Sequence, residues 1–144
     1  GIAVYNLTDG IQDFSFRPAD IPQLEESDNY WVYDYFAKNA FSLGKQESYE
    51  SRLDLGGFGW FVLLPKGKYG TCLGFTAVES IFENDSTQTV VVKESGTLGW
   101  LSEKEPQKVM VNSVDVTSSV KKNDFLYEIT LPEGPHKTVL SFVW

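Results

Sequence analysis

The 144-residue chain holds one cysteine, one histidine and one methionine. A single cysteine makes no internal disulfide, and no Cys/His cluster has metal-ligand spacing, so neither a disulfide scaffold nor a zinc module is on offer. Positive charge is scarce as well: 12 Lys and Arg stand against 20 Asp and Glu, a net charge of -8. The basic residues are scattered singly, apart from Lys121-Lys122, and form no stripe that would neutralise phosphates. That excludes nucleic acid as a partner. No apolar run approaches the length of a membrane span, and no signal peptide opens the chain, so no membrane partner is implied. The chain starts at Gly1 in a strand-like run and stops at Trp144 in another, the pattern of an excised domain with any targeting segment upstream.

What is abundant is apolar and aromatic surface. Hydrophobic residues make up 42% and aromatics 15%, enough for one domain over 1–144 to bury a core without staples. Short runs rich in β-branched and aromatic residues alternate with turn residues along the whole length. "IAVYNL" (2–7), "DFSF" (13–16), "SYESRLDL" (48–55), the run 58–64 and "TQTVVVKES" all read as strands. "KVMVNSVDVTSSV" reads as two short strands about Asn112-Ser113, and "FLYEITLPEG" with "KTVLSFVW" as a closing hairpin. No segment carries a helical apolar stripe. Pro18 and Pro22 leave at most one short helical turn near 18–26. The expected fold is an all-β antiparallel β-sandwich of about a dozen short strands in two packed sheets, with a closed barrel as the alternative.

Catalytic chemistry finds little footing. Hydrolysis of sugars needs two carboxylates facing across a pocket, roughly 5 to 9.5 Å apart. Asp34, Glu47, Glu50 and Asp54 are the nearest approach to a cluster, but on a strand Glu50 and Asp54 share a solvated face with Ser48 and Arg52. Cys72 reads as a small buried hydrophobe, and His136 as a turn residue. The glycines of "GGFG" and "KGKYG" lack the strand–loop–helix setting of a phosphate cradle. Two N-x-S/T sequons begin at Asn6 and Asn84, and "ENDS" (83–86) reads as an exposed turn before a calcium loop. No catalytic residue, metal ligand or cofactor is assigned.

The aromatic stretch "NYWVYDYF" (29–36) is the strongest functional signal. Strand periodicity puts Trp31, Tyr33 and Tyr35 on one face, and Tyr30, Val32, Asp34 and Phe36 on the other, with Val32 and Phe36 as the natural core pair. The Trp31/Tyr33/Tyr35 face suits sugar stacking and suits docking against a neighbouring domain. Patterning favours core or domain interface over a sugar platform.

The order of signatures carries a resemblance. "IAVYNLTDGIQDFSF", "DIPQLEESDNYWVYDYFAKNAFSL" and "YESRLDLGGFGWFVLLPKGKYGTCLGF", followed by "PQKVMVNSVDVTSSV" and "FLYEITLPEG", together resemble the C-terminal β-sandwich of α-galactosidases and related raffinose-synthase-like glycoside hydrolases. In these enzymes the sandwich follows a catalytic (β/α)8 barrel that holds both catalytic Asp residues. The resemblance therefore implies a non-catalytic accessory domain whose partner is the barrel of its own parent chain, with carbohydrate as an alternative partner. Asn112-Ser113 stands where that pattern more usually has a Gly.

Overall fold

The computed structural model describes residues 1–73, 77–134 and 137–144, and these divide into two compact units, 1–66 and 67–144. The sequence carries no linker signature there, so one domain over 1–144 is the natural expectation from alternation alone. The all-β, antiparallel sandwich character is as expected. The sheets number four among the described residues, each unit pairing two of them about a core of its own.

Unit 1 comprises β1 (Ile2–Tyr5), β2 (Gln12–Phe16), β3 (Asn29–Asp34), β4 (Asn39–Gly44), β5 (Tyr49–Leu53) and β6 (Phe58–Pro65). Its main sheet has the order β1-β6-β3-β4, and β2 pairs with β5 as a separate two-stranded ribbon. Alternation sends Ile2, Val4, Val32, Phe41, Leu43, Phe61 and Leu63 to one face of the main sheet. The ribbon covers that face with Phe14, Phe16 and Tyr49. Phe61 is the hub: its ring lies 5.8 Å from Phe14, 5.4 Å from Phe16 and 5.5 Å from Tyr49. The helical turn expected near 18–26 shrinks to a single 3-10 turn, Pro18–Asp20. Pro22 clashes with a helical residue before it, and Ile21 accordingly turns extended at φ -90°, ψ 116°.

Unit 2 comprises β7 (Thr71–Leu73), β8 (Val78–Glu83), β9 (Thr87–Val92), β10 (Gly96–Leu101), β11 (Lys108–Val111), β12 (Val114–Asp115), β13 (Lys121–Asn123), β14 (Leu126–Leu131) and β15 (Thr138–Val143). The sheets run β13-β14-β10-β7 and β12-β11-β15-β9-β8. Leu98, Trp100, Tyr127, Ile129 and Leu131 of the first meet Val90, Val92, Val109, Val111, Leu140 and Phe142 of the second. Trp100 stacks on Phe142 across the sandwich with ring centres 4.4 Å apart. The expected closing hairpin is corrected here: β14 pairs with β10 and β13, whereas β15 pairs with β11 and β9. Both strands point alternate apolar side chains into one core from opposite sheets, so they belong to different layers. The β11–β12 hairpin is as the sequence indicates, with Asn112 (φ 48°) and Ser113 (φ 69°) both left-handed, the backbone of a type I′ turn.

Candidate functional site

The face of the unit 1 main sheet opposite its core is aromatic too. Register places Tyr5 beside Phe58, Ala3 beside Trp60, Tyr33 beside Val62 and Ala40, and Trp31 beside Leu64 and Ser42, all on this second face. The face changes character along its length. At one end Trp31 is 1% exposed, and Leu64 and Ala40 are buried as well. At the other end Tyr5 is 63% exposed, Phe36 55%, Tyr35 49% and Phe58 37%, and Trp60 is also exposed.

The exposed rings touch in sequence. Tyr5 stacks on Phe58 at 4.6 Å, Phe58 meets Phe36 edge-on at 5.2 Å, and Phe36 meets Tyr35 edge-on at 5.5 Å. The Lys38 ammonium sits 3.8 Å from the centre of the Tyr35 ring, a cation–π contact that ends the strip. The strip thus assembles residues from β1, β6 and the β3–β4 turn.

The turn explains which rings join it. Asp34 closes β3, and its carboxylate accepts the amides of Phe36 and Ala37, each at 3.0 Å. Its carbonyl takes the amide of Lys38, whose φ is 56°. This Asx-type turn breaks the strand alternation after Asp34. Phe36 is consequently not the core partner of Val32 that periodicity suggests, but an exposed member of the strip.

Of the residues singled out from sequence, Tyr35 belongs to the strip, Tyr33 is half-buried and Trp31 is buried. The Trp31 ring is covered within the chain, with the Lys66 ammonium 4.6 Å from its centre, so its burial leaves no open ring face for sugar stacking, one of its two sequence readings. Tyr5, Phe58, Phe36 and Trp60 escaped sequence reasoning. Phe58 and Trp60 share strand parity in "GFGW", which is a signal, but only the β1–β6 pairing brings Tyr5 to Phe58 and only the Asp34 turn brings Phe36.

The acids singled out from sequence have other partners. Asp34 is committed to its turn, and Glu47 accepts the Gly44 amide at 2.7 Å. Glu50 lies opposite Ser15 on the ribbon, next to the exposed Asp13–Arg52 ion pair at 3.1 Å. These side chains rim a shallow polar dish of about 550 Å³, with both acids on one surface rather than on facing walls. Among the described residues, no group of three or more His, Cys, Asp or Glu is placed to hold a metal ion. In the β8–β9 turn, Asn84 Oδ1 accepts the amides of Ser86 and Thr87, while the Asn84 and Asp85 carbonyls accept the Tyr69 hydroxyl. Its oxygens therefore serve the turn. Cys72 is buried, and loss of hydration pushes its thiol up to about 12, far from a nucleophile's range. His136 lies outside the described residues.

The first sequon is structural. Asn6 is buried, and its amide nitrogen donates to the carbonyls of Gly10, Leu53 and Asp54 at 2.7, 3.0 and 2.8 Å. Its oxygen accepts the amide and the hydroxyl of Thr8. Asn84 is exposed. In comparison with known proteins, no protein-family model and no curated protein matches the chain.

Proposed function

We propose that the chain is a non-catalytic accessory module of an α-galactosidase-like glycoside hydrolase, which docks on the catalytic (β/α)8 barrel through the strip Tyr5–Phe58–Phe36–Tyr35. The strip is the observation that carries this reading. Four rings in contact, a third to two-thirds exposed, form a contiguous apolar surface of the kind that marks an interaction site rather than scattered surface residues. Tyr-rich composition is typical of interface centres. The strand signatures that resemble the accessory sandwich supply the partner's identity.

The test is to produce the parent enzyme's barrel and this chain as separate polypeptides and to measure their association. Binding that is lost in the Tyr5→Ser/Phe36→Ser variant supports the reading. No association at high micromolar concentration overturns it.

A second reading has its own observation. Tyr35 carries a cation on one ring face and Tyr5 is the most exposed ring of the strip, an arrangement that also suits stacking of a sugar. Titration with α-galactosides and larger polysaccharides, followed through fluorescence of the exposed Trp60, separates the two. Flat titrations across the panel dispose of carbohydrate binding.

A further inference from the structure

Gln88 stands in the inward row of β9, 2% exposed, between Val90 and the start of the strand. Its carboxamide nitrogen donates to the Gly70 carbonyl at 3.1 Å and to Glu83 Oε1 at 2.6 Å. Its oxygen is buried and meets no donor among the described residues. Gly70 adjoins a second such atom. A Cβ on Gly70 would fall 1.5 Å from Trp100 Nε1, so only a residue without a side chain lets the backbone pass this close to that indole. The Trp100 N–H is itself buried without an acceptor among the described residues, and so is the N–H of Trp144. The two indoles belong to one stack of near-parallel rings. It runs from Trp100 to Phe142 (4.4 Å), on to Trp144 (6.1 Å), and ends at Tyr69 (5.8 Å), the neighbour of Gly70 in the chain.

Buried polar atoms nearly always find a partner, and the kind of atom left over selects it. The Trp100 N–H donor repels a cation. The Gln88 oxygen, with the Glu83 carboxylate on the same amide, repels an anion. A neutral molecule that both accepts and donates satisfies both atoms, and the close packing around Gly70 restricts it to the smallest one.

We propose that the Gly70 corner of unit 2 is an internal water site. In it a water accepts the Trp100 N–H and donates to Gln88 Oε1. The water ties the segment entering β7 to β9 and β10, which accounts for a glutamine in an otherwise apolar inward row. It lies in unit 2, apart from the aromatic strip, and stands or falls independently of the proposed docking role.

The experiment is water–protein NOE spectroscopy on the intact chain with ¹⁵N-labelled indoles. A cross-peak between the Trp100 indole proton and long-lived water is expected, and it is lost in Gln88→Met. The wild-type spectrum decides the matter even where that variant fails to fold. Absence of the wild-type cross-peak, or a scalar coupling across a direct hydrogen bond from Trp100 to a backbone carbonyl, overturns the proposal. So does a cross-peak of unchanged intensity in a folded Gln88→Met protein.

Discussion

Tyr5 and Phe58 are register partners at the end of the β1–β6 pair, their rings stacked 4.6 Å apart while both remain open to solvent. A core pair at this spacing would be covered. Here the cross-strand contact holds two apolar rings on the surface, where they begin the strip that continues through Phe36 to Tyr35.

Removing part of the strip should cost little stability. Cross-strand aromatic pairs contribute about 0.2–1 kcal/mol, and their exposed faces add little burial. Tyr5→Ser/Phe36→Ser should therefore unfold within about 1–2 kcal/mol of the parent in a urea titration, while binding of an apolar dye to the native protein drops.

Phe61 behaves differently although it sits on the same strand as Phe58. It is buried at the hub of the unit 1 core, in contact with three other rings. Phe61→Ala should cost about 3–5 kcal/mol through lost burial and the cavity left behind, read as a fall in the denaturation midpoint.

Gly70→Ala should destabilise unit 2. Its new methyl group would overlap the Trp100 indole, which is fully buried and has Phe142 stacked upon it. Overpacking of this kind costs about 1–3 kcal/mol. Near-ultraviolet dichroism of the tryptophans should change along with the midpoint.

Ser113→Gly should have the opposite sign. Ser113 holds φ 69°, a conformation that strains any residue with a Cβ, and glycine relieves it. The gain should be about 0.5–1 kcal/mol in thermal or chemical unfolding, because glycine's greater unfolded-state freedom offsets part of the relief. Asn112 should not be changed with it, since its side-chain oxygen accepts the Val139 amide at 2.9 Å.

Cys72 sets an alkaline limit. Its thiol ionises near 9.0 when hydrated and is raised to about 12 by burial. A raised folded value means that the neutral thiol's contribution to stability is complete below pH 9 and is lost as pH climbs from there toward 12. Stability of the parent should thus fall more steeply over that window than stability of Cys72→Val, with the difference isolating this group from Lys and Tyr. At neutral pH the thiol should resist an aromatic disulfide reagent until the chain is unfolded.

The helical turn and the closing hairpin mark where local reading stops. Pro22 announces in the sequence that no helix passes Ile21, yet nothing in 18–26 specifies that only three residues coil. "FLYEITLPEG" and "KTVLSFVW" have every local feature of a hairpin, and what separates them is that each finds better burial in a different sheet. Asp34 shows the same limit on a smaller scale. An Asp within an aromatic run is compatible with continued alternation or with a turn, and the hydrogen bonds to Phe36 and Ala37 decide for the turn.

Period-two alternation with turn punctuation was sufficient to make this an all-β protein and to put Val32 inward, because side-chain direction on a strand is a local property of the backbone. Tertiary structure alone divided the strands between two cores, covered Trp31 and left Tyr5, Phe36 and Phe58 open. Which half of an apolar face is covered depends on strands paired across tens of residues, and those pairings are set by the summed burial of whole sheets rather than by any one segment.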